Sequence, residues 1–397
     1  MLAAAAFGGV ALMWLLICGN ARQLSKTEAI GISLVTLFIL YITLQPRVDG
    51  GHSKWVLVLP VVWSVCLMRD EHRSRCYRAF ATLFAISLIP GALASLVAAS
   101  GIPLAFTSIP ASNAQFRAQG VRLLQLPGVL FTESNSMVLP HGGVLFRMNG
   151  VYDEPGTVGT IAALLLAATG FRLHDWRSRF LYAAGVLSFS LAFAALATMG
   201  ISASAALRRR WQMLLLLTPV FCAVSLSLGY VRLPAVPQGQ RSSLSVATAS
   251  GEDTPLIAGR QELRQQQYVD NRTLPAMKSL IDTYWTSPPA VLLFGFASDA
   301  SVVWGGASQT WMRILTDHGM VGMAMLATGI TLALWPLLRS SRDKPWGLLF
   351  LLLFGMSVYQ RPVIWLPYAA VLLFCGAAVA FRLPPPDGVD DRSNPSW

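Results

Sequence analysis

Apolar runs of about twenty residues recur along this chain, each close to the length that crosses the hydrocarbon core of a bilayer. They lie at about 2 to 19, 28 to 45, 54 to 68, 79 to 99, 155 to 171, 180 to 199, 212 to 230, 314 to 338, 346 to 360 and 363 to 382. In lipid every backbone N–H and C=O must find its partner inside the protein, so runs of this length read as helices. Composition agrees: 54% of the residues are hydrophobic and 12% charged, against roughly 25% charged in an average soluble domain. The first run has no basic stretch before it and no small-residue cleavage site leading into a soluble domain, so it reads as a retained span. The five cysteines, Cys18, Cys66, Cys76, Cys222 and Cys375, have no paired spacing in the long loops, and neither a disulfide framework nor a zinc motif follows. The expected fold is an all-α polytopic membrane protein with ten to twelve transmembrane helices.

Lys and Arg gather in short connections: "RDEHRSRCYR" (69 to 78), "RLHDWRSR" (172 to 179), "RRR" (208 to 210) and "RSSRDK" (339 to 344). That asymmetry places them on the cytoplasmic face and accounts for the net charge of +11 without a nucleic-acid partner. The long loops at about 100 to 154 and 231 to 306 are balanced, the second with six basic and six acidic side chains, and are expected outside. Parity then needs an extra pass between residue 199 and "RRR", and the sequence suggests a short returning helix at 198 to 210, giving eleven passes with the N-terminus outside. The expected layout is therefore helices at 1–99, an outer loop at 100–154, helices at 155–230, a large outer loop at 231–313, helices at 314–382 and a disordered cytoplasmic tail at 383–397.

Charges within the spans are nearly absent and the two halves do not echo each other, which argues against an ion pathway or a transporter of paired broken helices. The chemistry is expected at the outer face. There "GVLFTESNSMVLPHGGVLF" (128 to 146) suits a hairpin or a re-entrant segment. In "NRTLPAMKSLIDTYWTSPP" (271 to 289), Thr273 can cap a helix whose first turn takes Pro275, with Met277, Leu280, Ile281, Tyr284 and Trp285 on one face. That helix is expected at the membrane surface.

"FRMNGVYDEPGTVGTIAALLL" (146 to 166) holds Arg147, Tyr152, Asp153 and Glu154 at the lip of a span. Arg147 lies where the positive-inside bias gives no reason for it. It either meets lipid headgroups or pairs with Asp153 or Glu154, or it grips a phosphate with its fork of donors. Arg260, Arg264 and Arg272 form a second outer group, and Arg272 precedes a helix N-terminus whose dipole also favours an anion.

The pattern R-x-x-G-x-x-x-E-P-G-x-x-G from Arg147 to Gly159 resembles the signature of Wzy-type O-antigen polymerases and the related O-antigen ligases. "NRTLPAMKSLIDTYWTSPPAVLLFGFA" (271 to 297) and "ASQTWMRILTDHGMVG" (307 to 322) are similar to two further stretches of that superfamily, the last ending in Gly319-x-x-Gly322. The resemblance covers roughly residues 140 to 340. Ligases carry His-Asn where this chain has Ser308-Gln309, and Glu154-Pro155-Gly156 is closer to the polymerases, so polymerase is the leading implication.

The resemblance implies a GT-C-like membrane glycosyltransferase of the bacterial inner membrane, with its active site facing the periplasm. It would join oligosaccharide repeat units carried on undecaprenyl diphosphate into a surface polysaccharide. Arg147 and Arg272 are the expected stabilisers of the departing diphosphate. Arg260, Arg264, Tyr152, Asp153, Ser308 and Trp311 are expected to touch the substrate. Glu154 is the preferred general base, with Asp153, Asp270 and Asp299 left open, whereas His318 reads as a polar residue near a helix start. No cofactor is implied. Metal independence is expected because no paired carboxylates lie in the first outer connection and Asp390-Asp391 lies in the tail. The implied partners are the lipid-linked oligosaccharide, the bilayer, a chain-length-regulating membrane protein and a flippase. An O-antigen ligase or a lipid-linked sugar flippase remains the alternative.

Overall fold

The computed structural model describes residues 2–19, 21–48, 50, 54–110, 122–132, 136–139, 142–152, 155–208, 275–304, 310–339, 345–360 and 366–383. They are mostly helical, and three helices are long and apolar enough to cross a membrane: Lys26–Leu44, Asp70–Ala99 and Trp311–Arg339. Shorter apolar helices accompany them.

Helix α1 spans Leu2–Ile17, α2 Lys26–Leu44, α3 Leu59–Leu67 behind a 3-10 turn at Trp55–Val58, and α4 Asp70–Ala99. Five short strands follow: β1 Thr107–Pro110, β2 Arg122–Leu126, β3 Val129–Thr132, β4 Ser136–Val138 and β5 Val144–Phe146. Then come α5 Pro155–Ala168, α6 Trp176–Leu187, α7 Leu191–Leu207, α8 Pro275–Trp285, α9 Pro289–Phe294, α10 Ala300–Val303, α11 Thr310–Arg339 and α12 Pro345–Gln360. The last helix, α13 at Pro367–Ala380, has a π-helical turn at Val371–Cys375. Local chemistry sets the starts. Ser25 and Glu28 form a reciprocal capping box on α2, and Asp175 caps α6 by accepting from Ser178 N at 2.8 Å, each satisfying N–H groups that the first turn leaves without helical partners. Burial alone would raise the Asp175 carboxyl, but its hydrogen bonds to Ser178 and the nearby Arg177 prevail and hold it below its ordinary range.

Arginines define one end of the helical body. Arg22 donates to Cys66 O at 3.1 Å and to Glu28 at 2.5 Å, and Arg73 donates to Val65 O and Cys66 O. Arg208 donates to Gly170 O at 2.9 Å and lies 5.0 Å over the Trp346 ring, and Arg382 pairs with Asp70 at 3.2 Å. This basic end collects the start of α2, the end of α3, the start of α4, the α5–α6 loop, the end of α7, the start of α12 and the end of α13. The far end collects the end of α2, the strands, the α6–α7 turn and the start of α11.

Three expectations need correcting. Residues 180 to 199 do not form one helix, because the chain reverses at Ser188-Phe189-Ser190. Ser188 N closes α6 on Ala184 O at 2.9 Å, Phe189 takes a left-handed φ of 44°, and Ser190 caps α7. A Cβ on Gly185 would lie 2.1 Å from the Phe193 ring, and Gly159 abuts Ser190 while Gly200 abuts Phe171. So α7 runs alongside α5 in the same direction, with α6 running back between their levels. Residues 198 to 207, expected as a returning helix, complete α7 instead. Hydropathy misses such a turn because serines are tolerated within an apolar run, although here they cap the break. Likewise, residues 70 to 78 are the first turns of α4 and not a connection, since Arg73 folds inward to bind the carbonyls at the end of α3.

The strands depart from an all-α chain. β1, β2 and β3 form an antiparallel sheet and β4 pairs with β5. Phe106, Phe131 and Phe146 cluster with ring centroids 5.0 to 6.0 Å apart and pack against Ala94 and Ala98 of α4, which seats the sheet on the far end of that helix.

The tightest crossing is α2 on α11. A Cβ on Gly31 would lie 2.3 Å from Ala333 N, and one on Gly329 2.9 Å from Val35 Cγ2. Small residues let helix backbones approach and gain dispersion contacts that lipid cannot replace. Gly31→Val should lower stability by about 1–3 kcal/mol through overpacking. Gly9→Ala, at a helical glycine with nothing within 4 Å of the added carbon, should not destabilise. Thermal unfolding of the purified variants in one detergent checks both.

Candidate functional site

Two polar clusters occupy the far end. The first forms where the chain leaves β5. Met148 N donates to Leu187 O at 3.1 Å, laying this segment along the α6–α7 turn. Arg147 then reaches over the turn, its Nε donating to Ser188 O at 3.1 Å and its Nη2 to Phe189 O at 2.9 Å. These carbonyls lie where α6 stops, so the guanidinium serves acceptors that the helix end leaves over. Asn149 is fully buried. Gly150 has φ 61°, and a Cβ there would lie 2.5 Å from Leu88 Cδ2 of α4. Tyr152 packs on Phe84 with ring centroids 5.7 Å apart, and burial raises its phenol above the ordinary range. With Gly159 against Ser190, the described members of the Arg147 to Gly159 motif converge on α4 and the α6–α7 turn. Much of the motif is explained by packing.

The second cluster joins the end of α2, the α9–α10 segment and the start of α11. Gly295 and Gly319 both have positive φ and lie back to back: a Cβ on Gly295 would lie 2.3 Å from Asp317 O, and one on Gly319 2.3 Å from Leu293 O. No side chain fits either position, and at Gly319 the helix α11 kinks. From α2, Tyr41 donates to Phe294 O at 2.6 Å and Gln45 Nε2 to Asp317 O at 2.7 Å. His318 is buried, its Nδ1 2.6 Å from Gln45 Oε1 and its ring edge-on to Phe38 and Tyr41. These contacts make it a structural ligand of α2.

Charge concentrates at Asp299. Its Oδ1 accepts from Arg313 Nη2 at 2.8 Å, and its Oδ2 lies 2.9 Å from Arg47 Nε. The Arg47 contact is a close ion pair without hydrogen-bond alignment. Arg313 Nε also lies 3.4 Å from Asp317 Oδ2, and the buried Asp317 accepts from Ser301 N at 2.7 Å and from Ser301 Oγ at 2.9 Å. Both oxygens of Asp299, one of the carboxylates left open as a base, thus face guanidiniums. Among the described residues no group of His, Cys, Asp and Glu is placed to hold a metal ion.

Of the residues expected to act, Arg147 and Tyr152 stand in the first cluster, and Trp311 lies half-buried in the first turn of α11, two residues before Arg313. Arg272, Arg260, Arg264, Asp270, Asp153, Glu154 and Ser308 lie outside the described residues. Helix α8 buries Met277, Leu280, Ile281 and Tyr284 but exposes Trp285. The sequence reading missed Arg47, Arg313 and Asp317. Arg313 and Asp317 carry an i,i+4 signal, whereas Arg47 meets its partner only through the fold. No protein-family model matches the chain, and no curated protein or solved structure matches it either.

Arg147 binds two carbonyls at once, so its loss should unsettle the α6–α7 turn. Arg147→Ala should lower stability by about 1.5–3 kcal/mol, the range for hydrogen bonds to a charged group. Lysine, a single ammonium without the fork, should recover only part of it. Unfolding curves in detergent measure this without any activity assay.

Proposed function

We propose that this chain is a multi-pass inner-membrane polymerase of lipid-linked oligosaccharides, with its reaction centre at the far end of the helical body and that end facing the periplasm. The observation that carries this reading is the separation of chemistry by end. Arg22, Arg73, Arg208 and Arg382 brace one end, and the described parts of the segments resembling the polymerase motifs lie at the other, in two clusters around Arg147 and around Arg313. The charge asymmetry of the connections supports the orientation.

In the proposed reaction a hydroxyl of the incoming repeat unit attacks the anomeric carbon of the growing chain. The bond from that carbon to the diphosphate oxygen breaks, and undecaprenyl diphosphate leaves with the electron pair. Glu154 takes the hydroxyl proton. A diphosphate needs charge stabilisation more than a proton, and Arg272 with Arg260 and Arg264 would supply it, each well-placed donor being worth about 3 kcal/mol in the transition state. Arg147 has a mixed part, because its Nε and Nη2 edge already serves the α6–α7 turn. Its role in the reaction would be to hold the segment leading to Tyr152 beside that turn.

The purified protein, incubated with a defined undecaprenyl-diphosphate repeat unit, should yield a glycan ladder on a gel. Arg272→Ala should reduce it by on the order of a hundredfold, and Arg241→Ala, in the Pro- and Ser-rich part of the same loop, should leave it near normal. Transfer only to a lipid A core acceptor would make the protein a ligase, and movement of the lipid-linked unit without lengthening would make it a flippase.

Orientation has its own check in a background without native cysteines. His174→Cys should react with an impermeant thiol reagent only from the cytoplasmic side, and Phe189→Cys only from the periplasmic side. Labelling of both from one side would contradict the reversal at Ser188 to Ser190 as a membrane topology.

A further inference from the structure

Between Asp282 and Arg313 the sequence holds a single charged residue, Asp299, and that residue is turned onto Arg47 and Arg313. The side chains turned outward here are apolar. Trp285, Leu293, Phe294, Val303 and Trp304 each expose 44–57% of their surface. The rings of Trp285, Tyr284, Phe296 and Trp304 follow one another with centroids 5.3, 6.1 and 5.9 Å apart. The Leu293 backbone lies against Gly319 of α11, beside the exposed Met320. Phe294 adjoins the end of α2, where Leu40 and Leu44 are exposed next to Tyr41 and Gln45. The patch therefore continues the outward faces of two helices that are long and apolar enough to cross a membrane.

The backbone behind the patch has polar groups met inside the protein. Leu292 O accepts from Tyr284 at 2.5 Å, Phe294 O from Tyr41 at 2.6 Å and from Gln45 at 3.1 Å, and Ser298 O from Val48 N at 3.3 Å. Phe296 N donates to Thr316 O at 2.8 Å. Where a helix end faces water, water serves such groups. Irregular backbone at membrane depth needs protein partners instead.

We propose that residues 289 to 303 are embedded in the membrane leaflet at the far end of the helical body, the outer leaflet in the proposed orientation. Leu293, Phe294, Val302 and Val303 meet lipid tails, and Trp285 and Trp304 stand at the headgroup level. Tryptophan suits that level because its ring is apolar while its N–H stays wet. Asp299 is paired inward, as ionisable groups at membrane depth are. Helix α8 stands on the water side, with Lys278, Ser279, Asp282 and Thr283 exposed. Its apolar face, expected on the membrane, is buried in protein, and lipid contact passes to the segment that follows. Lipid fits this surface better than a glycan does, because apart from the two indoles its exposed side chains offer no hydrogen-bonding group to sugar hydroxyls. Lipid contact here holds for a polymerase, a ligase or a flippase alike.

Single cysteines carrying a nitroxide label test this in the full-length protein, without native cysteines, in vesicles of phosphatidylethanolamine and phosphatidylglycerol. Oxygen concentrates in the bilayer and a nickel chelate stays in water, so their collision rates with the label report its surroundings. Leu37→Cys, on the exposed side of α2, is the lipid reference, and Asp282→Cys, on α8, is the water reference. Labels at Leu293→Cys and Val303→Cys should collide with oxygen more than with nickel, as at Leu37, and Asp282 should show the reverse. Nickel access at 293 and 303 equal to that at 282 overturns the proposal. Low access to both reagents overturns it too, since another part of the chain or a second protein then covers the patch. Nickel access at Leu37 would sink the membrane reading along with it. Trp304→Phe gives a second reading without a label: quenching of the protein's fluorescence by lipids brominated near the headgroup should fall relative to the wild type, and unchanged quenching would overturn the headgroup placement.

Discussion

The close crossing of α2 on α11 governs the far end. Gly31 and Gly329 let the two backbones meet, and lipid offers no hydrophobic drive that could replace this contact. Once the axes are set, the end of α2 is delivered to the start of α11, where Tyr41 and Gln45 take the carbonyls of Phe294, Asp317 and His318. The carbonyls of Asp317 and His318 are open because Gly319 breaks the helical course of α11, and that of Phe294 because α9 ends there. Arg47, three residues beyond α2, then meets Asp299 and, through it, Arg313. A tighter or looser crossing would move Arg47 relative to Arg313 and dissolve the charge network.

What was legible in the sequence follows from which forces act locally. Long apolar helices such as α2 and α4 announce themselves, because one short window contains everything that stabilises them. The capping box at Ser25 and Glu28 and the buried face of α8 are local in the same sense. The α6–α7 reversal was not legible by hydropathy, because its determinants are two caps and a contact between Gly185 and Phe193, and none of them lowers the apolarity of the run. The sheet seated on α4 was hidden similarly, its core being three phenylalanines drawn from separate segments. Of the candidate site, Arg147 and Tyr152 were read from a motif. Arg47 carried no signal of its own, since nothing near it in sequence marks it as a partner of Asp299.

The motif itself changes meaning in three dimensions. A pattern of Arg, Gly, Pro and Gly before a span invites a catalytic reading, yet Gly150 is placed against Leu88, Gly159 against Ser190, and Arg147 on the carbonyls of Ser188 and Phe189. These are requirements of folding a strand segment onto a tight helical turn. A family could keep such a pattern for its architecture, and the reacting groups would then be the neighbours that the architecture presents.

The two arginine clusters differ in what holds them, and that difference bears on which can receive a ligand. Arg147 is bound to backbone carbonyls that terminate α6 and cannot leave without undoing the turn. An anion approaching it would compete with acceptors already in place, on an edge of the guanidinium that is spent. Arg47 and Arg313 both face the side chain of Asp299, and Arg313 also lies against the buried Asp317. Attraction to an anion is strongest where the cation is partly desolvated and its present partner can be exchanged. By that criterion the first cluster, bound to backbone carbonyls, is scaffold.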